Sequence, residues 1–192
     1  MRRRVSPRRA VAGLMALALT ASVSACAAGP SEQTLAAEAL NRGLQAHAAG
    51  RYDEAAADYR EVLAHDPGNT YAYYNLGQID QLAGRNESAE REYRMALDGN
   101  PDFAPALFNL AILRTQAGAR DEAVELYRHV IRVKPNEAGA HLNLGLLLRA
   151  AGRTQEGDAE IQQALQLDPS LASPPPATPS SSAGAQNAGS GQ

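Results

Sequence analysis

From residue 36 onward, apolar side chains recur in two stripes, each repeated four times. Counted from Ala36 as position 1, the units run 36–69, 70–103, 104–137 and 138–171. Positions 4, 7 and 8 carry Tyr73, Leu76 and Gly77 in the second unit, then Leu107, Leu110 and Ala111, then His141, Leu144 and Gly145. The spacing i, i+3, i+4 predicts one face of an amphipathic helix. Position 11 is mixed (Asp80, Arg114, Leu148), so the stripe weakens at its end. A second stripe falls at positions 20, 24, 27 and 28. It reads Ala55, Tyr59, Val62, Leu63; Ala89, Tyr93, Ala96, Leu97; Ala123, Tyr127, Val130, Ile131; and Gly157, Ile161, Ala164, Leu165. Each unit is therefore expected to hold two helices, A and B.

The residues between the stripes keep the same register. Gly50, Gly84, Gly118 and Gly152 stand 34 residues apart, as do Pro67, Pro101, Pro135 and Pro169. Glycine accepts the left-handed conformation that ends helix A. Proline cannot continue helix B and restrains the residue before it. Position 8 (Gly43, Gly77, Ala111, Gly145) and position 20 (Ala55, Ala89, Ala123, Gly157) stay small, which lets the paired helices approach closely. A fixed 34-residue period predicts a stacked helical array, an architecture that commonly serves as a binding scaffold.

The pattern Tyr73-x-x-Leu76-Gly77, Gly84, Ala89, Tyr93, Ala96, Pro101 resembles the tetratricopeptide repeat family, over 136 of the 192 residues. The departures are Ala39 and His141 at position 4, Arg42 at position 7, and Gly157 at position 20. The resemblance implies an all-α, right-handed superhelical array of about four hairpins. It also implies that helix A lines the concave face through positions 2, 5, 6, 9 and 12. Those positions hold Ala37, Leu40, Asn41, Leu44 and His47; Tyr71, Tyr74, Asn75, Gln78 and Gln81; Pro105, Phe108, Asn109, Ile112 and Thr115; and Gly139, Leu142, Asn143, Leu146 and Arg149.

Asparagine recurs at position 6 of every unit: Asn41, Asn75, Asn109 and Asn143. A primary amide both donates and accepts, so such a ladder could hold a peptide backbone. It could equally support the fold, and the sequence leaves both open. Tyr71, Tyr74, Gln78, Phe108 and Leu142 complete the candidate peptide-binding set. Exposed aromatics suit partner anchoring, although Tyr74 and Phe108 could instead pack between neighbouring A helices. The carboxylate clamp of some family members needs Lys or Arg at positions 2 and 5. Here those positions are uncharged, so that function is disfavoured.

The first 26 residues form a separate object. Arg2, Arg3, Arg4, Arg8 and Arg9 precede an uncharged, Ala- and Leu-rich run from 10 to 25. That run is shorter than the ~20 residues of a membrane-spanning helix and fits a secretory signal. General secretion is the expected route, since the Arg8-Arg9 pair is weak evidence for twin-arginine export. The segment ends Val23-Ser24-Ala25-Cys26, which resembles the lipobox of bacterial lipoproteins. The resemblance implies cleavage after residue 25 and lipid attachment at Cys26, with residues 26–35 as the anchored linker. An ordinary signal peptide with an incidental cysteine is the alternative. Cys26 is the single cysteine, so no internal disulfide forms.

Loss of residues 1–25 removes five arginines and no acid, leaving 13 basic against 21 acidic residues, a net charge of −8. An acidic domain argues against nucleic acid, which needs clustered cations. The tail from 172 to 192 is mostly Pro, Ser, Ala and Gly without charge, and reads as disordered. No separate capping helix is then expected after unit four, whose helix B shields the end with Asp158, Glu160, Gln162 and Gln163. The four histidines fall at different repeat positions, and no metal spacing, nucleophile elbow or phosphate loop occurs. No cofactor and no enzymatic activity are expected.

These features predict a lipid-anchored adaptor of the bacterial cell envelope, holding a segment of a protein partner during envelope, pilus or secretion assembly. The anchor would sit in the outer membrane of a two-membrane host, and otherwise in the plasma membrane. A self-associating structural lipoprotein with an unused groove is the alternative.

Overall fold

The computed structural model describes residues 29–172. The readings on the signal segment, on Cys26 and on the tail from Ser173 lie outside the described residues. Eight α-helices and no strand occur among the described residues: α1 (Glu32–Ala48), α2 (Tyr52–His65), α3 (Thr70–Leu82), α4 (Asn86–Gly99), α5 (Ala104–Gln116), α6 (Arg120–Val133), α7 (Ala138–Ala150) and α8 (Thr154–Leu167). Odd-numbered helices are the A helices and even-numbered ones the B helices. Each A helix packs on its own B helix, and each B helix packs on the next A helix. Helix α1 begins one turn ahead of position 1.

The punctuation acts locally. Gly50, Gly84, Gly118 and Gly152 have φ between 73° and 80°. In that conformation the following amide reaches back into the finished helix, as Arg51 N–H does to the Ala46 carbonyl at 2.9 Å. Each B helix ends two residues before its proline. At the next start, Asn69 Oδ1 accepts from Ala72 N–H at 2.9 Å, capping α3. After α8 comes one 3₁₀ turn, Pro169–Ala172, packed against it.

The core is built hairpin by hairpin. Tyr59, Tyr93 and Tyr127 are fully buried between paired helices. The rings of Tyr59 and Tyr93 lie over Gly43 and Gly77, where a Cβ would meet ring carbon at 2.7 and 2.6 Å. The last hairpin solves the same problem differently. Ile161 replaces tyrosine, and α7 meets α8 backbone to backbone, since a Cβ on Gly145 would lie 2.7 Å from the Gly157 carbonyl oxygen. Gly157 departs from the family pattern where this approach leaves no room for a methyl. Leu110 and Leu144, almost fully buried, each contribute roughly 1.5–3 kcal/mol.

The other departures have partners. His141, buried at position 4, places Nδ1 2.6 Å from Glu160 Oε2 and Nε2 2.9 Å from the Pro135 carbonyl. Glu160, assigned from sequence to a polar outer face, therefore turns inward. Arg42 at position 7 stays exposed and pairs with Asp58 at 3.0 Å and Glu61 at 2.6 Å. Arg114 contacts Glu90 of α4 at 3.0 Å and Glu122 of α6 at 2.7 Å. Arg94 pairs with the same two carboxylates. The four residues form a clasp across the second and third hairpins.

Candidate functional site

The A helices bring part of the candidate set together. Tyr74, Asn109 and Phe108 line one pocket of about 190 Å³ between α3 and α5, with Pro105 on its wall and Lys134 and Glu137 at the α6–α7 link. The pocket opens at the edge where B helices end and A helices begin, because Pro105 lies in the first turn of α5 and Lys134 follows α6. Its aromatic wall extends further than the repeat positions suggest. Phe103 stands edge-on to both Tyr71 and Tyr74, with ring centres 5.3 Å apart in each case. Phe108 meets Tyr127 in the same manner at 5.7 Å. Gly139 on α7 leaves space beside Phe108, where a Cβ would come within 3.2 Å of the ring.

Sequence reasoning did not select Phe103, Lys134 or Glu137. Phe103 occupies position 34, outside both stripes. The available signal was an aromatic residue between Pro101 and Pro105, at the point where the chain enters α5.

The four asparagines are not equivalent. Asn41 is exposed on α1. Asn75 is 8 % exposed and donates to the Tyr71 carbonyl of its own helix at 2.7 Å. Asn109 Nδ2 donates to the Tyr93 hydroxyl at 3.3 Å, and that hydroxyl donates to Gln81 Oε1 at 2.7 Å. The next hairpin repeats the arrangement, with Thr115 and Asn143 beside the Tyr127 hydroxyl. Burial pushes the Tyr74, Tyr93 and Tyr127 hydroxyls above the ordinary phenol range, which keeps them protonated. Gln78 and Leu142 are half-buried on α3 and α7, away from the pocket lining, while Tyr71 stays 57 % exposed.

Two larger clefts lie elsewhere. One of about 500 Å³ lies at the A–B turns, between Tyr52 and Leu82. Another of about 410 Å³ lies between Leu40 and His65. The smaller pocket carries the aromatic wall, and so it is the better anchor site despite its size.

Burial, with Asp80 adding to it, pushes the Glu92 carboxyl up to about 7, and Glu92 Oε2 has no hydrogen-bond partner. None of the three clefts is lined by Glu92. Among the described residues no cluster of three or more metal-ligating side chains occurs, and no helix is long and apolar enough to cross a membrane.

Comparison with known proteins agrees with the helical-hairpin fold. A crystal structure of MamA superposes with a TM-score of 0.64 at 23 % identity, covering 71 % of this chain and 80 % of that one. A second MamA structure, AMB-1, gives 0.61 at 21 % identity, covering 73 % and 76 %. The first TPR domain of Spaghetti (RPAP3), bound to the HSP90 peptide SRMEEVD, gives 0.57 at 23 % identity, covering 62 % and 94 %. No curated protein matches significantly. The family described as the cilia and flagella-associated protein 70 middle TPR-like domain matches residues 34–168, nearly the whole helical array, and the chain belongs to that family.

Proposed function

We propose that this chain is a protein-interaction scaffold that holds a segment of a protein partner against its A helices, anchored at the bacterial cell envelope by lipid on Cys26. The observation that carries the binding reading is the aromatic-walled pocket of Tyr74 and Phe108, with the Asn109 amide beside it. Aromatic side chains ordered on a rigid helical framework supply large contact area at low entropic cost. The peptide-bound RPAP3 domain, a structural neighbour, supports a peptide-holding role for this fold. The face differs from a clamp for charged tails, since Tyr71, Tyr74, Pro105 and Phe108 stand where cations would be needed. The envelope reading rests on the arginine-rich leader and on the Val23-Ser24-Ala25-Cys26 sequence. The outer membrane is the proposed site in a two-membrane host, and the plasma membrane otherwise.

The test is photo-crosslinking from position 74 in living cells, with mass spectrometry of the captured protein. A reproducible foreign envelope protein, lost in Phe108→Ala, is the expected result. Capture unchanged by Phe108→Ala would move binding to another face. The mass of the mature N-terminus tests the anchor, because an unmodified residue 26 excludes it.

A further inference from the structure

Position 23 of each unit lies on helix B and faces helix A of the same hairpin. In three hairpins its residue is satisfied there. Asp58 meets Arg42 at 3.0 Å, and Glu160 meets His141 at 2.6 Å. Leu126, in the third hairpin, packs against the apolar core. The second hairpin places Glu92 at this position, and α3 presents it with another acid, Asp80. Glu92 Oε2 is the one buried side-chain nitrogen or oxygen without a hydrogen-bond partner among the described residues.

The chemistry of the pair accounts for that orphan. The Glu92 and Asp80 carboxyls lie within hydrogen-bonding reach of each other. Two carboxylates only accept, so they repel; one proton between them turns the contact into a charge-assisted hydrogen bond. Asp80 is held as the anion, since its Oδ1 accepts from Arg85 Nε at 3.0 Å and Nη2 at 2.6 Å. The proton therefore belongs to Glu92. Burial favours it there, and the Asp80 charge adds to that, against the weaker opposition of Arg60 on α2 and Arg91 on α4.

Asp80 sits on α3, which also carries the pocket wall. Tyr74 lies less than two turns away on the same helix and lines the pocket with Phe108. A packed helix shifts as a unit, so a displacement at Asp80 reaches Tyr74.

We propose that the Asp80–Glu92 pair is a proton-operated latch: with its proton in place α3 is seated on α4 and the Tyr74 wall is set, and loss of the proton unseats α3 and loosens that wall. The latch is closed in acid and opens as the pH rises through about 7. Its effect on partner binding rests on the groove reading above; the latch itself does not.

The test uses the purified full-length chain with 4-fluorophenylalanine, a ring that does not titrate, in place of Tyr74. Its ¹⁹F shift is expected to move with pH around a midpoint near 7. Amides of α3 and α4, corrected for intrinsic exchange, are expected to lose about fivefold in protection between about pH 5.5 and about pH 8.5, with α8 unchanged. Glu92→Gln can donate to Asp80 at every pH, and Glu92→Leu copies the third hairpin. Each should remove both responses with helicity unchanged. A ¹⁹F shift independent of pH, a response that persists in either variant, or an equal loss of protection in α8 would each overturn the proposal. If the ¹⁹F signal ignores pH while position 74 captures a foreign protein in cells, the groove stands and the latch falls. If the latch responds and position 74 captures nothing, the latch stands and the groove falls.

Discussion

The second and fourth hairpins fill the same structural slot in opposite ways. In the second, α3 and α4 are held apart by the Tyr93 ring, which lies over Gly77. In the fourth, α7 and α8 close to backbone contact through Gly145 and Gly157, with Ile161 beside them. A 34-residue framework therefore tolerates two spacings between paired helices, provided that position 8 and position 20 compensate each other. The tyrosine version also carries a hydroxyl to the A-helix face, where it bonds Gln81 and Asn109. The glycine version gives up that link and gains a close approach.

The largest expected effect breaks the fourth hairpin. Gly157→Ala places a methyl 2.6 Å from the Gly145 carbonyl oxygen, a backbone atom that cannot turn aside. A loss of about 2–3 kcal/mol is expected in urea unfolding, even after the ~1 kcal/mol gain in helix propensity. Gly77→Ala strikes the Tyr93 ring instead, at 2.6 Å. The ring is fully buried and held through its hydroxyl, so a smaller loss of about 1–2 kcal/mol is expected. If Gly77→Ala proved the costlier of the two, the contrast between ring and backbone contact would be wrong.

Tyr93→Phe isolates the hydroxyl. It leaves Gln81 Oε1 without its donor and should cost about 1 kcal/mol in the same assay. The smallest effect concerns Glu92, on the same helix as Tyr93. Its folded pKa, about 7, lies above the ordinary value of 4.5, so the native state keeps a proton that the unfolded chain releases. Stability from this site is intact below pH 4.5 and falls as the pH rises through 7. Glu92→Gln should therefore leave stability unchanged near pH 4 and raise it by about 1 kcal/mol above pH 7, after allowance for solvent screening. Thermal melts across that range measure it.

The hairpins were legible because periodicity, turn glycines and closing prolines are local signals. Helix starts at Thr70, Ala104 and Ala138 follow directly from the repeat register. What passes between helices was not legible. Nothing in the spacing aims Arg114 at Glu90, because that contact depends on how neighbouring units rotate on one another, and the contacts of Arg114 with Glu122 and of Glu160 with His141 depend on how the A and B helices of one unit roll against each other. Asn109 was visible as a repeated residue, but its bond to Tyr93 joins residues of two different units. Phe103 was missed for a related reason: a linker residue belongs to neither helical period, yet it completes the aromatic wall.

The Tyr93 hydroxyl has a mechanical consequence. It ties the end of α3 to the middle of α5, the two helices that border the pocket. Widening the space between them would break hydrogen bonds inside the protein, so the gap behaves as a sprung jaw of set width rather than a soft cleft. A segment docked there, as proposed above, would meet walls already in place. Its affinity would be governed by whether its shape matches that width, and little free energy would go into ordering the receptor.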